Sequence, residues 1–393
     1  MVKSDRDATY HGREQTLVKH VILEKYLLRF ALVVGTWADT INYVDGFSGP
    51  WNLRSENFAD SSFAIALRVL RTARDTLRGR GRSLKLRCFF IEANPKSYER
   101  LAEFARETKD AEVETRNSEF VDVIPDIQKF LRAGGANAFG FTFIDPTGWT
   151  GFAMKEIKPL LQHRPGEVLI NFMTFSIRRF VQAPEEVRQQ EFEDLFGAAD
   201  FRDELVGLGA KDREDALVRR YMRSVRETGG FPYVCTAVVL HPEKDTSHFH
   251  LIYATRDLKG VEVFKEAEKA AMKVMEEARA EAQQRKRQRK GQAELFAAPV
   301  LHRAAYYQRL KERYTTAARD SLLAILRQRG RVSYDTAWEI VLPDPLVWES
   351  DLKGWIKEWH EQGYLDLEGL APRERVPKLG QRHTLVWKTK TES

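Results

Sequence analysis

The sequence predicts an α/β protein built on a mainly parallel sheet, followed by a smaller α+β module. Three observations carry that prediction. Five short apolar runs alternate with amphipathic helical segments through the first two-thirds of the chain. Two more apolar runs, Tyr233–Leu240 and His248–Thr255, flank a polar turn with Pro242 and Asp245 and read as a hairpin. Beyond residue 300 the helical period returns three times and then yields to two short strands. At 393 residues the chain is long for a single core. The expected division is a first domain over 13–275, a basic helical linker over 276–300 and a second domain over 301–393.

Taken in order, residues 16–34 place Leu17, Val21, Leu28 and Leu32 on one face with Lys19, Glu24 and Arg29 between, a helix with one buried side. Ile41–Asp45 is a compact apolar strand that stops at Gly46-Phe-Ser-Gly49-Pro-Trp51. A helical period over 60–78 leads to the strand Leu86–Glu92, which ends on an acid, and to a helix over Pro95–Arg106. The pattern repeats through the strand Ala111–Arg116, a helix around Val121–Leu131, the strand Ala138–Asp145, a helix near Lys155–Gln162 and the apolar run Glu167–Met173. Strands this apolar, separated by helices, belong to a parallel sheet covered on both faces, with right-handed crossovers. Residues 176–228 are charged and helical and read as an insertion. Five parallel strands with a terminal antiparallel hairpin give the Rossmann-like plan of class I methyltransferases rather than that of a dehydrogenase.

Composition excludes several classes. Hydrophobic residues at 43% and charged residues at 31% describe a soluble globular protein, and no apolar run approaches the roughly 18 residues a membrane span needs. The charged start Met1-Val-Lys-Ser-Asp-Arg-Asp lacks a signal-peptide core, so a cytoplasmic location with no membrane partner is expected. The only cysteines, Cys88 and Cys235, sit in apolar, β-prone runs as small hydrophobes, and no zinc or iron–sulfur spacing exists, so no metal is expected.

Four strand ends concentrate the chemistry. After the first strand, small residues in Asp45-Gly46-Phe47-Ser48-Gly49 let a bulky ligand approach the backbone, and Asp45 is placed to hold water or a ligand ammonium; a plain strand–helix turn is the alternative. Glu92 closes the second strand, where a carboxylate accepts both hydroxyls of a ribose. Asn117-Ser118-Glu119 would then lie beside the adenine. Asp145-Pro146 ends the fourth strand, facing the reacting centre, where an acid orients an amino group or takes its proton.

The order Asp-Gly-Phe-Ser-Gly, Ile-Glu-Ala-Asn-Pro and Ile-Asp-Pro-Thr-Gly, preceded by the helix with Lys19-His20, resembles the three-Cys-motif partner (TcmP) family over about residues 11–270. That resemblance implies an S-adenosylmethionine (SAM) methyltransferase-like domain acting beside a separate, radical-SAM-like three-cysteine protein, often with a winged helix following. A more distant similarity, to the adenine-N6 methyltransferases of 23S ribosomal RNA, which also place Lys-His on a helix ahead of the glycine turn, implies that His20, Asp45 and Glu92 contact SAM and that Asp145 receives the target amine. The candidate cofactor site is therefore Lys19, His20, Asp45, Gly46, Phe47, Gly49, Glu92, Asn117, Ser118 and Glu119, and the candidate catalytic pair is Asp145 and Pro146. Two departures from that pattern stand in this chain. Trp51 replaces the third glycine of the turn, and Asp145-Pro-Thr-Gly148 lacks the aromatic that stacks an extruded base, with Trp149 one place later.

The second domain reads as a winged helix-turn-helix. Leu322, Ile325 and Leu326, then Ala337, Trp338 and Ile340, then Leu352, Trp355, Ile356 and Trp359 mark its three helices, with the tryptophans as core. Candidate phosphate contacts are Lys353 and Lys357 on the third helix, Arg373, Arg375 and Lys378 in the wing, and Arg285, Lys286 and Arg287 in the basic run before residue 291. Two function classes follow: a SAM-dependent enzyme acting on DNA or RNA with its three-Cys partner, or a non-catalytic nucleic-acid-targeting or docking scaffold for that partner.

Overall fold

The apolar runs become one seven-stranded sheet: β1 (Thr40–Asp45), β2 (Lys85–Ile91), β3 (Glu112–Arg116), β4 (Ala138–Ile144), β5 (Gly166–Phe172), β6 (Tyr233–Leu240) and β7 (Ser247–Thr255). This computed structural model describes residues 9–49, 58, 60–181, 185–289 and 305–388. The strand order is 3-2-1-4-5-7-6. The first five strands are parallel, and β7 runs antiparallel to β5, with Phe172 opposite His250 and Val168 opposite Ala254. Every residue of β1, β4 and β5 is buried, as continuous apolar runs between two helical layers must be.

Helices α1 (Glu14–Val34), α2 (Ser62–Arg78), α3 (Pro95–Glu107), α4 (Ile124–Arg132), α5 (Met154–Leu161), α6 (Thr174–Phe180), α7 (Glu186–Phe196), α8 (Ala210–Gly229) and α9 (Leu258–Arg289) complete this unit. Local chemistry sets their starts: the Ser61 hydroxyl caps α2 by accepting from the Ala64 amide, and Asn94 caps α3 ahead of Pro95. Helix α1 docks through a buried polar knot in which Tyr26 and Thr255 both donate to Glu167. Burial raises the pKa of that carboxyl.

Within 176–228, Ile177, Phe192, Phe196 and Tyr221 join the core that contains Ile144 and Phe172. One expectation changes: the first unit does not end at residue 275 ahead of a basic helical linker. Helix α9 runs on to Arg289, burying Ala278 and Ala282, and its buried Arg279 donates to the carbonyls of His241 and Lys244 and to Asp245. The alternation of small and charged residues that reads as a linker is a packed face in which alanines allow close approach. Residues 290–300, including Lys290, lie outside the described residues.

The chain divides into two compact units, residues 1–234 with 238–300 and residues 301–393 with 235–237. In the second, α10 (Ala305–Arg329), β8 (Arg331–Ser333), α11 (Tyr334–Val341), α12 (Glu349–Glu361), β9 (Leu365–Glu368) and β10 (Thr384–Trp387) follow one another. The three strands pair antiparallel in the order β8-β10-β9. Trp338, Trp359, Leu322, Leu326 and Leu352 are buried, so two of the tryptophans singled out are core. Strand β8 is three residues long, too short to announce itself by alternation. Among the described residues no helix is long and apolar enough to cross a membrane, and no group of three acidic, His or Cys side chains could hold a metal. Both cysteines are buried, and neither forms a disulfide among the described residues.

Candidate active site

At the carboxyl ends of the parallel strands, where the order reverses between β1 and β4, lies a cavity of about 490 Å³. Open α/β sheets bind their ligands at this switch point, and the size suits a cofactor. Gly46, Phe47, Gly49, Glu92, Ser118 and Glu119 line one half. Asp145, Pro146, Asn171, Met173, His248 and Phe249 line the other, with Lys19 and His20 contributed by α1.

The turn after β1 forms the floor. Gly46 donates its amide to the Phe143 carbonyl at 2.9 Å, and a Cβ there would lie 2.7 Å from the Phe120 ring, so only glycine fits. Asp45 lies beneath this floor, fully buried and outside the cavity lining. Its carboxylate accepts from the Ser62 hydroxyl at 2.7 Å and the Phe47 amide at 3.1 Å. Burial pushes its pKa up to about 6, helped by Asp145, while Ser62, the Phe47 amide and Lys19 pull it down. The acid therefore shapes the turn; in the place expected for a ligand contact it offers a support instead.

Glu92 lies one residue past β2, buried in the cavity wall, and accepts from the Asn94 amide at 2.6 Å. Burial raises its pKa, the Asn94 hydrogen bond opposes that, and nearby Glu119 adds to it. A carboxylate this short of cationic partners favours hydroxyl donors or a cationic ligand. Asn117 is outside the lining and straps β2 to β3 by donating to the carbonyls of Glu92 and Ala93 at 2.8 and 3.0 Å. Ser118 and Glu119 remain in the lining.

Asp145 is held on both oxygens: the Lys19 ammonium pairs with one, and the Asn171 amide donates to the other at 2.7 Å. Both members of the ion pair are mostly shielded from water. His20 is buried, hydrogen-bonded through Nδ1 to the Tyr10 hydroxyl at 2.9 Å, and held neutral, its pKa lowered to about 3 by burial and then by Lys19. Trp149 is committed elsewhere. Its ring packs on Phe180 and Phe192, and its Nε1 donates to Glu191 at 2.8 Å. Trp51 lies outside the described residues.

The basic candidates are distributed as follows. Arg285 pairs with Glu14, and Lys286 donates to the Glu243 carbonyl at 3.0 Å; Arg287 follows one residue on in α9. In the second unit Lys353 pairs with Glu349, Lys357 with Glu361 and Lys378 with Glu374. Arg373 and Arg375 are exposed in the loop between β9 and β10, with no ion pair among the described residues.

Sequence reasoning missed Asn171, His248 and Phe249. Asn171 carried a signal, as the one polar residue inside the run Val168–Phe172; the other two owe their place to β7 docking beside β5, which periodicity does not report. A larger hollow of about 830 Å³ lies at the opposite ends of β2 and β3. Both carboxylates in its lining are paired, Asp110 accepting from Arg71 and Arg74 and Glu112 pairing with Lys85 and Arg87.

No family model and no curated protein sequence matches the chain. Solved structures similar to it include protein LPL1258 from Legionella pneumophila str. Philadelphia 1, of family model DUF519, with 12% identity over 65% of this chain and 91% of that one, at a TM-score of 0.40. Another is a loganic acid methyltransferase with SAH, with 9% identity over 72% of this chain and 91% of that one, at a TM-score of 0.31. What the cavity can do follows from its own side chains.

Proposed function

We propose that the first unit is a SAM-dependent methyltransferase domain acting on an amino group of a nucleic acid. The observation that carries this reading is one crevice at the sheet's switch point with a buried carboxylate, Glu92, in one half and an acid at a strand tip, Asp145, in the other. The residues present fit the cofactor. Glu92 would take the ribose hydroxyls, Ser118 and Glu119 would flank the adenine, and the side-chain-free surface of Gly46 would let the ligand lie against the backbone. SAM when bound supplies an electrophilic methyl group. Asp145 would orient the acceptor amine by accepting its N–H and then hold the released proton, work that requires Lys19 to share or leave that carboxylate. Residues 305–388, with their order of helix, strand, two helices and two strands, are read as a winged helix whose exposed Arg373 and Arg375 would meet phosphates. The radical-SAM-like three-Cys protein is the proposed partner.

Calorimetric titration with SAM tests the core of this reading. Wild type should bind, and Glu92→Ala should lose about 1.5–3 kcal/mol, the worth of a hydrogen bond to a charged group. A folded wild type without SAM binding would remove the enzyme reading. The non-catalytic scaffold reading is favoured by one observation, the engagement of both Asp145 oxygens by Lys19 and Asn171. It would stand if SAM binds yet no methyl transfer occurs to DNA or RNA with the partner present.

A further inference from the structure

The acceptor half of the cavity has a wall that the strand-tip chemistry leaves unused. Phe175 stacks on His248, ring centroids 5.7 Å apart and planes at 20°. His248 meets Phe249 edge-on at 5.6 Å, and Phe249 in turn faces the ammonium of Lys19, the partner of Asp145, at 5.9 Å. Aromatic surface thus continues from the rim to the acid. Within it, His248 Nδ1 is buried and finds no hydrogen-bond partner among the described residues. Burial, with His241 and Lys19 adding to it, lowers the His248 pKa to about 4, so at neutral pH the ring is uncharged and has a nitrogen free to accept. A buried acceptor without a donor is costly unless a ligand supplies one.

Two lysines stand at the rim of this wall, beside a turn that also carries Glu243 and an Asp245 paired with Arg279. Lys244, in the turn between β6 and β7, lies 5.7 Å from the Phe175 ring. Lys286 reaches the same turn, its ammonium on the Glu243 carbonyl, which does not neutralise it. Neither lysine pairs with a carboxylate among the described residues. An aromatic wall with an acceptor nitrogen inside, and cations outside, matches a flat N–H-bearing base with phosphates on either side. A peptide segment without acidic side chains would leave the rim cations unanswered.

We propose that Phe175, His248 and Phe249 form a stacking wall for one unpaired nucleobase whose exocyclic amine faces Asp145, with Lys244 and Lys286 taking the flanking phosphates. The proposal rests on reading the cavity as a methyl-transfer site. It assigns to this wall the stacking role that Trp149, locked against Phe180, Phe192 and Glu191, does not fill.

The test uses the full chain saturated with S-adenosylhomocysteine and a short single-stranded oligonucleotide carrying one 2-aminopurine, as DNA and as RNA. Wild type should bind and quench the 2-aminopurine. Phe175→Ala and His248→Ala should each weaken binding about tenfold or more, as loss of a stacking aromatic does, and relieve the quenching, whereas His248→Phe should keep it. Lys244→Ala and Lys286→Ala should each lower the slope of log affinity against log salt by about one and leave quenching in the bound complex intact. Unchanged affinity for S-adenosylhomocysteine in every variant shows that the fold and the cofactor half persist. Equal affinity and quenching in the alanine variants, or no oligonucleotide binding by a wild type that binds S-adenosylhomocysteine, would overturn the wall and leave the cofactor reading standing. A wild type that binds no S-adenosylhomocysteine would overturn both.

Discussion

Asp45→Asn is the perturbation whose outcome the structure specifies most fully. The carboxyl is fully buried, and its pKa is raised from 3.8 to about 6, chiefly by burial. An acid whose pKa is higher in the folded chain binds its proton more tightly there. Its stabilising contribution is thus fully present below pH 3.8 and is lost as pH rises through about 6. The rise corresponds to about 3 kcal/mol. Asparagine keeps the shape and does not titrate. It cannot accept from both Ser62 and the Phe47 amide as the carboxylate does, but that loss is nearly constant with pH. Stability by urea denaturation, measured for both proteins at stepped pH, should therefore show wild type losing about 3 kcal/mol relative to the variant as pH rises from 3.8 to about 6, with little further change above that. Titrating groups remote from Asp45 cancel in the difference. Two curves running parallel across that window would refute a buried, ionising Asp45 and with it the account of the turn.

Further outcomes follow from other parts of the molecule. Asp145→Asn should lower single-turnover methyl transfer by about two to four orders of magnitude, with much smaller change in SAM affinity, and equal rates would reduce Asp145 to a turn residue. Neutralising Arg373 and Arg375 together should lower the salt slope of nucleic-acid binding by about two; Lys378, already paired with Glu374, should add less, and an unchanged slope would point to protein docking by this unit. Arg279→Met strands the buried carbonyl of His241 and the carbonyl of Lys244, so urea denaturation should show a loss of about 2–4 kcal/mol; a loss under about 0.5 would show that α9 is not fastened to the hairpin as described.

The parallel strands were legible because burial on both faces demands unbroken apolar runs, and the places of Glu92 and Asp145 in the cavity lining were legible because each closes such a run. The role of Asp45 was not. Its position at a strand tip is the same as that of a ligand-binding acid, and only the placement of Ser62 from the following helix turns it inward. Asn117 misled for a related reason: a polar side chain at a strand end serves equally well as a strap across neighbouring carbonyls. The end of the first unit was misjudged because the Arg- and Lys-rich end of α9 has the composition of a solvated linker, while Arg279, Arg285 and Lys286 each find oxygen acceptors far away in sequence. Such long-range satisfaction leaves no local periodicity.

The place of β7 between β5 and β6 has a consequence for how the cavity comes into being. Part of its lining comes from strand tips within residues 46–120, whereas His248 and Phe249 arrive on a strand that pairs with residues about eighty positions earlier. Distant pairings pay loop-closure entropy before they are rewarded and so tend to form late. A chain that stopped before residue 247 would lack His248 and Phe249, and the crevice would be missing that part of its wall. Completion of the lining is thereby tied to completion of the sheet.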